Sequence, residues 1–170
     1  MNGVQEIFLQ LIVSLGLPFV GFVFFLEGAL IGKLLPTDFI LPVAAVIYPD
    51  LFYQYFLLIL FSSFCSTAGQ FYLFKIVNKK GNVEDLKNRR FIKIPDNKIE
   101  KGERYFKKFE ETSVFVSNLL PFVRGTITIP AAINDMRTFK FAGFSFMGNF
   151  IYHSGLVVLG LGIVSIPGLF

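Results

Sequence analysis

The chain has 170 residues, of which 54% are hydrophobic and 17% are aromatic, and its formal net charge is +4. Its mean hydropathy is +0.62, a value that a water-soluble domain of this size would not sustain. These values exclude an ordinary soluble enzyme. They indicate an integral membrane protein with one membrane domain over residues 1–170.

Three uncharged stretches are long enough to cross a bilayer as helices. They cover residues 7–26, 54–74 and 141–164. Pro18 predicts a kink in the first of them. Small residues in the second, such as Ser66 and Gly69, are typical of transmembrane helices that pack closely.

A fourth apolar stretch, residues 28–48, is interrupted by charges and prolines. Pro36 and Asp38 lie within it, and Glu27 stands at its entrance. Such an interrupted stretch predicts a re-entrant segment that lines an internal site. The alternative is an ordinary kinked span with a lysine reaching toward the interface.

A fifth apolar stretch, residues 112–135, carries Arg124 between Pro121 and Pro130. A central guanidinium and two prolines are what a simple membrane anchor avoids. Proline removes a backbone donor, and Gly125 lets the backbone leave helical geometry. The pattern predicts a broken, re-entrant helix around Arg124.

Residues 75–111 differ in composition from the rest, because they hold twelve of the sixteen basic residues. This bias predicts a cytoplasmic loop. Within it, residues 95–111 predict an amphipathic helix lying on the anionic lipid surface, with a merely solvated loop as the alternative. With this loop inside, the two re-entrant segments enter from opposite faces. The fold class predicted is therefore an all-α polytopic membrane protein with two oppositely oriented re-entrant helical hairpins, similar to an inverted repeat.

Glu27, Asp38 and Arg124 are the ionisable groups expected at membrane depth. An unpaired charge there is costly, so they are expected to pair with one another or to bind a charged ligand. The arginine fork suits a phosphate group. A carboxylate beside it could exchange a proton as the site opens and closes.

Other chemically notable residues give weaker indications. His153 has no second histidine or nearby carboxylate in sequence, so packing or a helix–helix hydrogen bond is expected rather than metal binding. Cys65 is the single cysteine, which excludes an intramolecular disulfide. The sequence has no nucleotide loop, nucleophile elbow or metal-ligand cluster. We therefore expect neither an enzyme nor a cofactor or metal, and no nucleic-acid partner.

Several short motifs together resemble a known family. They are Glu27, Leu35-Pro36-Thr37-Asp38, Ile40-Leu41-Pro42, Gly69-Gln70 with Tyr72, Gly102 to Phe106, Phe115, Pro121 to Arg124, Pro130 to Ala132, Met136, Phe141 and Asn149. In this order they are similar to the DedA family, also called the SNARE-associated or VTT-domain family. The resemblance covers about residues 20–155.

The resemblance implies a polytopic protein of the cytoplasmic membrane that moves lipid through two re-entrant hairpins. In that family the lipid is a polyprenyl phosphate carrier or a phospholipid, and transport is associated with the proton motive force. Glu27 and Asp38 match its acidic pair, and Arg124 matches the second arginine of its Arg-Phe-x-Pro-x-x-Arg motif. Asn118 takes the place of the first arginine, and Pro36 and Pro121 belong to the two matching motifs.

Two classes of function remain open at this point. One is a flippase or scramblase for a lipid phosphate, or a proton-coupled transporter of another small solute. The other is a membrane scaffold whose broken helices only pack together. A homodimer is also left open.

Overall fold

The computed structural model describes residues 14–29, 37–47, 52–80, 96–121 and 124–164. In chain order these contain α1 (Leu17–Gly28), a 3-10 turn (Thr37–Phe39), α2 (Ile40–Ile47), α3 (Phe52–Lys80), α4 (Asp96–Asn118), α5 (Thr128–Ile133) and α6 (Thr138–Val164). All regular structure in these ranges is helical, so the predicted all-α class is confirmed for the part of the chain that the structure describes.

Helices α3 and α6 form the centre of the fold and run antiparallel. Three contacts at successive levels show this arrangement: Ser62 with His153, Thr67 with Asn149, and Phe74 with Phe141. Their stretches Tyr53–Lys79 and Thr138–Gly162 are long and apolar enough to cross a membrane. The structure thus agrees with the predicted helices over 54–74 and 141–164, and α3 extends beyond the predicted end.

The fold buries an unusual number of polar side chains and exposes many large apolar ones. Polar side chains without exposed surface lie in the interior, namely Ser62, Ser63, Ser66, Asn118, Thr128, Ser145, Asn149 and His153. Large apolar side chains point outward, among them Phe22, Phe64, Phe139 and Val158. An apolar outer surface combined with buried polar side chains is typical of a protein that spans a bilayer.

Helix α1 lies beside α3 and runs in the same direction. The backbone of Gly21 faces Phe61, and that of Gly28 faces Ser66, one turn further along α3. The helical conformation is interrupted at Gly16, whose φ is 61°, and Pro18 lies in the first turn of α1. Pro18 therefore starts the helix rather than kinking it, because a first-turn proline needs no hydrogen-bond partner for its nitrogen.

Helix α2 runs in the same direction as α6. Asp38, just before α2, contacts Tyr152, and the backbone of Pro42 meets Gly160. Because α6 is antiparallel to α3, α1 and α2 form a hairpin that starts and ends where α3 begins. The prediction of a span over 7–26 stays a prediction, because the structure describes only residues 14–26 of that stretch. Residues 1–13 and 30–36, including Pro36, lie outside the described residues.

A second hairpin, formed by α4, a turn and α5, starts and ends at the opposite end of the fold. Glu111 of α4 accepts a hydrogen bond of 2.6 Å from Lys140 near the start of α6. Asn118 lies deeper, against Gln70, and Ala132 of α5 has returned to the level of Asn78. The predicted break in the helix around Arg124 is observed, and the re-entrant path stays a prediction.

The amphipathic helix predicted over 95–111 is wrong in its extent. Helix α4 begins at Asp96 as expected but continues without interruption to Asn118. Its apolar face also continues, because Phe106 and Val114, eight residues apart, are both buried in one hydrophobic cluster. The start of the predicted re-entrant segment, residues 112–118, is therefore the last part of this helix.

Close contact between α1 and α3 should make Gly69 intolerant of any side chain. A Cβ atom at Gly69 would collide with the backbone carbonyl oxygen of Phe25. We expect Gly69→Ala to lower the unfolding free energy by about 1–3 kcal/mol, because two backbones must move apart. Gly143→Ala is the matched control, since nothing lies within 4 Å of its Cβ position. Thermal unfolding in detergent, followed by circular dichroism, should show a lower midpoint for the Gly69 variant alone.

Candidate functional site

Arg124 lies in the turn between α4 and α5, at the tip of the second hairpin. Its backbone nitrogen donates to the carbonyl oxygen of Leu120 over 3.0 Å. The next residue, Gly125, has a φ of 77°, a conformation that glycine adopts without strain. This reversal directs the arginine side chain into the protein, where only 7% of its surface is exposed.

The two arms of the Arg124 guanidinium bind two different helices. Nη2 donates to Oε1 of Glu27, the penultimate residue of α1. Nη1 donates to Nε2 of His153 on α6 over 3.2 Å. The predicted pairing of Arg124 with an acidic residue is therefore observed, and it joins the C-terminal end of α1 to the turn between α4 and α5.

Two aromatic rings face the same guanidinium. The Tyr152 ring centroid lies 4.6 Å from Arg124 Cζ, and that of Phe24 lies at 5.8 Å. Tyr152 also donates its hydroxyl hydrogen to Oδ1 of Asp38 over 2.8 Å. Asp38 is thus connected to Arg124 through Tyr152, and its own side chain is exposed. Both predicted carboxylates therefore lie around one arginine.

His153 connects the arginine to α3. Its Nδ1 lies 3.0 Å from the Ser62 hydroxyl and 3.1 Å from the Ser63 hydroxyl. Its ring also packs against Phe24, with the centroids 4.6 Å apart. The ring has no exposed surface. The expectation of a helix–helix hydrogen bond is confirmed, but the contact with Arg124 was not foreseen.

The remaining predicted site residues lie elsewhere. Asn118, the last residue of α4, is buried, and its Oδ1 accepts a hydrogen bond of 2.7 Å from Gln70 of α3. This polar contact is separate from the Arg124 cluster, by which we mean Arg124, Glu27, Asp38, Tyr152, His153, Phe24, Ser62 and Ser63. Pro121 is exposed in the turn after α4. Pro36 lies outside the described residues.

Several buried polar atoms have no hydrogen-bond partner within the described ranges. They are Glu27 Oε2, Ser66 Oγ, Gln70 Oε1, Thr126 Oγ1, Thr128 Oγ1, Ser145 Oγ and Asn149 Oδ1. Buried polar groups are normally bonded to protein or to water. These atoms make the interior suitable for ordered water or for the polar part of a ligand.

Sequence reasoning missed five residues of the cluster: Phe24, Tyr152, His153, Ser62 and Ser63. One signal could have found His153. Ser145, Asn149 and His153 recur every fourth residue along α6, which places them on one helix face. A polar face on an otherwise apolar helix predicts an internal polar site.

The cluster suits electrostatic binding of an anion. It contains a cation that cannot lose its proton, Arg124, and a carboxylate bound directly to it, Glu27, that can gain one. If Glu27 becomes protonated, the guanidinium keeps its charge and could accept another anionic partner. Within the described residues, no three His, Cys, Asp or Glu side chains are grouped so as to hold a metal ion.

The amino-acid sequence is similar to those of known proteins. Over 96 residues the chain is 28% identical to the protein named undecaprenyl phosphate transporter A of Staphylococcus aureus (strain NCTC 8325 / PS 47). The aligned part is 56% of this chain and 43% of that protein, so it spans less than half of the relative's length. No solved structure matches the chain. A family model described as the VTT domain matches residues 35–162. The chain therefore belongs to the VTT-domain family, also known as the DedA family.

Proposed function

We propose that this protein moves a lipid with a phosphate headgroup, most specifically a polyprenyl phosphate, across the cytoplasmic membrane. Arg124 receives the headgroup, and Glu27 competes with it for the same guanidinium. The observation that carries the proposal is the buried guanidinium at the meeting point of two hairpins, paired with one carboxylate. The relative named as an undecaprenyl phosphate transporter supports the choice of lipid.

The two hairpins act as re-entrant segments that enter the membrane from opposite faces. Their directions relative to α3 and α6 support this assignment, because each starts and ends at one end of the fold. Their tips carry Glu27 and Arg124 and meet next to His153 in the interior. A site between two oppositely oriented hairpins is accessible from either face after a small movement of one hairpin.

The end of the fold that holds Lys75, Lys79, Arg137 and Lys140 faces the cytoplasm. These four basic side chains are exposed. Basic residues next to membrane segments remain on the cytoplasmic side. The α4 hairpin then enters from the cytoplasm, and the α1–α2 hairpin enters from outside.

Cysteine labelling tests this topology. In a Cys65→Ser background, we expect Asp50→Cys to react with an impermeant maleimide from outside. Asp85→Cys and Arg137→Cys should react only after the membrane is permeabilised. Labelling of positions 85 and 137 from opposite sides would show that the Arg124 segment crosses the membrane completely, which contradicts the hairpin assignment.

Protonation of Glu27 couples lipid binding to the proton. The carboxylate and a phosphate both accept from the arginine fork, so they compete for it. A protonated Glu27 no longer neutralises Arg124, and the phosphate then supplies the missing negative charge. The proton and the lipid therefore bind together, and each favours the binding of the other.

Reconstitution into vesicles tests the proposed function. Purified protein should speed the transbilayer movement of a labelled polyprenyl phosphate, measured as the fraction that an external reagent can reach. The matched probe is the corresponding polyprenol, which lacks the phosphate and should not respond to the protein. Equal protein-dependent movement of both lipids, or of neither, would refute recognition through Arg124. Movement of neither lipid is also what the scaffold hypothesis expects.

A further inference from the structure

We infer that His153 is a positioning residue that fixes the guanidinium of Arg124, acting as a neutral imidazole with its single ring proton on Nδ1. The contact at Nε2 is the first of two observations that determine this protonation state. Every guanidinium nitrogen is a hydrogen-bond donor, so Nε2 of His153 must accept from Arg124 Nη1 across their 3.2 Å contact. A proton on Nε2 would set two donors against each other.

The Nδ1 side leads to the same protonation state. The hydroxyls of Ser62 and Ser63 both donate to the carbonyl oxygen of Ile59, over 3.1 and 2.6 Å. A hydroxyl has one hydrogen, so each can only accept from Nδ1 of His153. The proton on Nδ1 is therefore shared between two acceptors, and Nε2 keeps a lone pair for the arginine.

The surroundings hold the ring in this orientation. The side chain is fully buried, Phe24 packs against it, and α3 supplies both serine acceptors. The serines, His153 and Arg124 thus form one chain of hydrogen bonds from α3 to the tip of the second hairpin. This chain sets the direction of Nη1, whereas Glu27 sets that of Nη2. Positioning by neighbouring hydrogen bonds is how a binding side chain is kept in a productive geometry.

Nitrogen-15 NMR of the histidine ring tests the protonation state without any transport assay. His153 is the only histidine in the chain, so protein labelled at histidine and purified without a histidine tag gives one imidazole. At neutral pH we expect a protonated Nδ1 and an unprotonated Nε2. Arg124→Gln should shift the Nε2 signal far more than the Nδ1 signal. A protonated Nε2, or an Nε2 signal unchanged by Arg124→Gln, would overturn the inference.

Two amide variants separate positioning from helix packing. His153→Gln carries its amide to about the place of Nε2 and can still accept from Arg124, whereas His153→Asn reaches only the place of Nδ1 beside Ser62 and Ser63. Translocation of polyprenyl phosphate should be about tenfold or more faster in the Gln variant than in the Asn variant. Thermal unfolding should confirm that both variants are folded. The opposite ranking would make His153 a bridge between α3 and α6 and would overturn the inference.

The transport part of this inference rests on the proposed function. The experiments distinguish a failure of the inference from a failure of the proposed function. A wild-type protein that moves no polyprenyl phosphate refutes the proposed function, while the NMR result still decides the protonation state of His153. A wild-type protein that transports normally, with an imidazole protonated on Nε2, refutes only the role of His153.

Discussion

Arg124→Lys is expected to lower translocation of polyprenyl phosphate by about ten- to a hundredfold, although the charge is kept. The reason lies in the two arms of the guanidinium. Nη2 binds Glu27 of α1 and Nη1 binds His153 of α6, while the planar group faces the Tyr152 ring. A lysine carries its charge on one nitrogen at the end of an unbranched chain. It therefore cannot bind both Glu27 and His153 in this geometry and also form a bidentate contact with phosphate.

The control for this variant is Arg137→Lys. Arg137 is exposed in the turn before α6 and lies outside the cluster, so its exchange should leave translocation unchanged. Circular dichroism and size-exclusion chromatography in detergent should show both variants folded. Wild-type transport by a folded Arg124→Lys protein would contradict recognition by the arginine fork, and it is the result that the scaffold hypothesis expects.

Local signals made the second hairpin predictable. Pro121, Gly125 and Pro130 interrupt the apolar stretch, and an arginine in that stretch requires a partner. The structure accordingly ends α4 before Pro121, reverses the chain at Gly125 and pairs Arg124 with Glu27. Each of these features depends on residues close together in sequence or on the cost of an isolated buried charge.

Other features depend on information that a hydropathy pattern does not contain. An uncharged stretch of about twenty residues fits either one full span or one arm of a hairpin, so the path of α1 was not determined. The sequence also does not show that Gly21 and Gly28 pack α1 against α3. His153 pairs with a residue 29 positions away and with serines about 90 positions away. The register of α3 against α6 brings the serines to His153, and the turn after α4 brings Arg124 to it.

Glu27→Gln is expected to reduce net translocation by about tenfold or more and to remove the pH dependence that protonation of Glu27 gives the wild type. The amide stands for a permanently protonated Glu27. It leaves the charge of Arg124 uncompensated, so the variant should bind polyprenyl phosphate more tightly than the wild type does but should release it slowly. Translocation and binding are therefore measured separately, by vesicle accessibility and by retention of the labelled lipid on purified protein.

Asp38→Asn is the matched comparison, because it makes the same carboxylate-to-amide exchange at the other acidic residue of the site. The Asn oxygen can still accept from the Tyr152 hydroxyl, and the side chain is exposed, so no buried charge is left unpaired. We expect this variant to keep most of the wild-type rate and its pH dependence, whereas Asp38→Ala, which removes the acceptor, should lose more. If Glu27→Gln transports like the wild type while Asp38→Asn fails, the proton is exchanged at Asp38, and the competition between Glu27 and phosphate is not the coupling step.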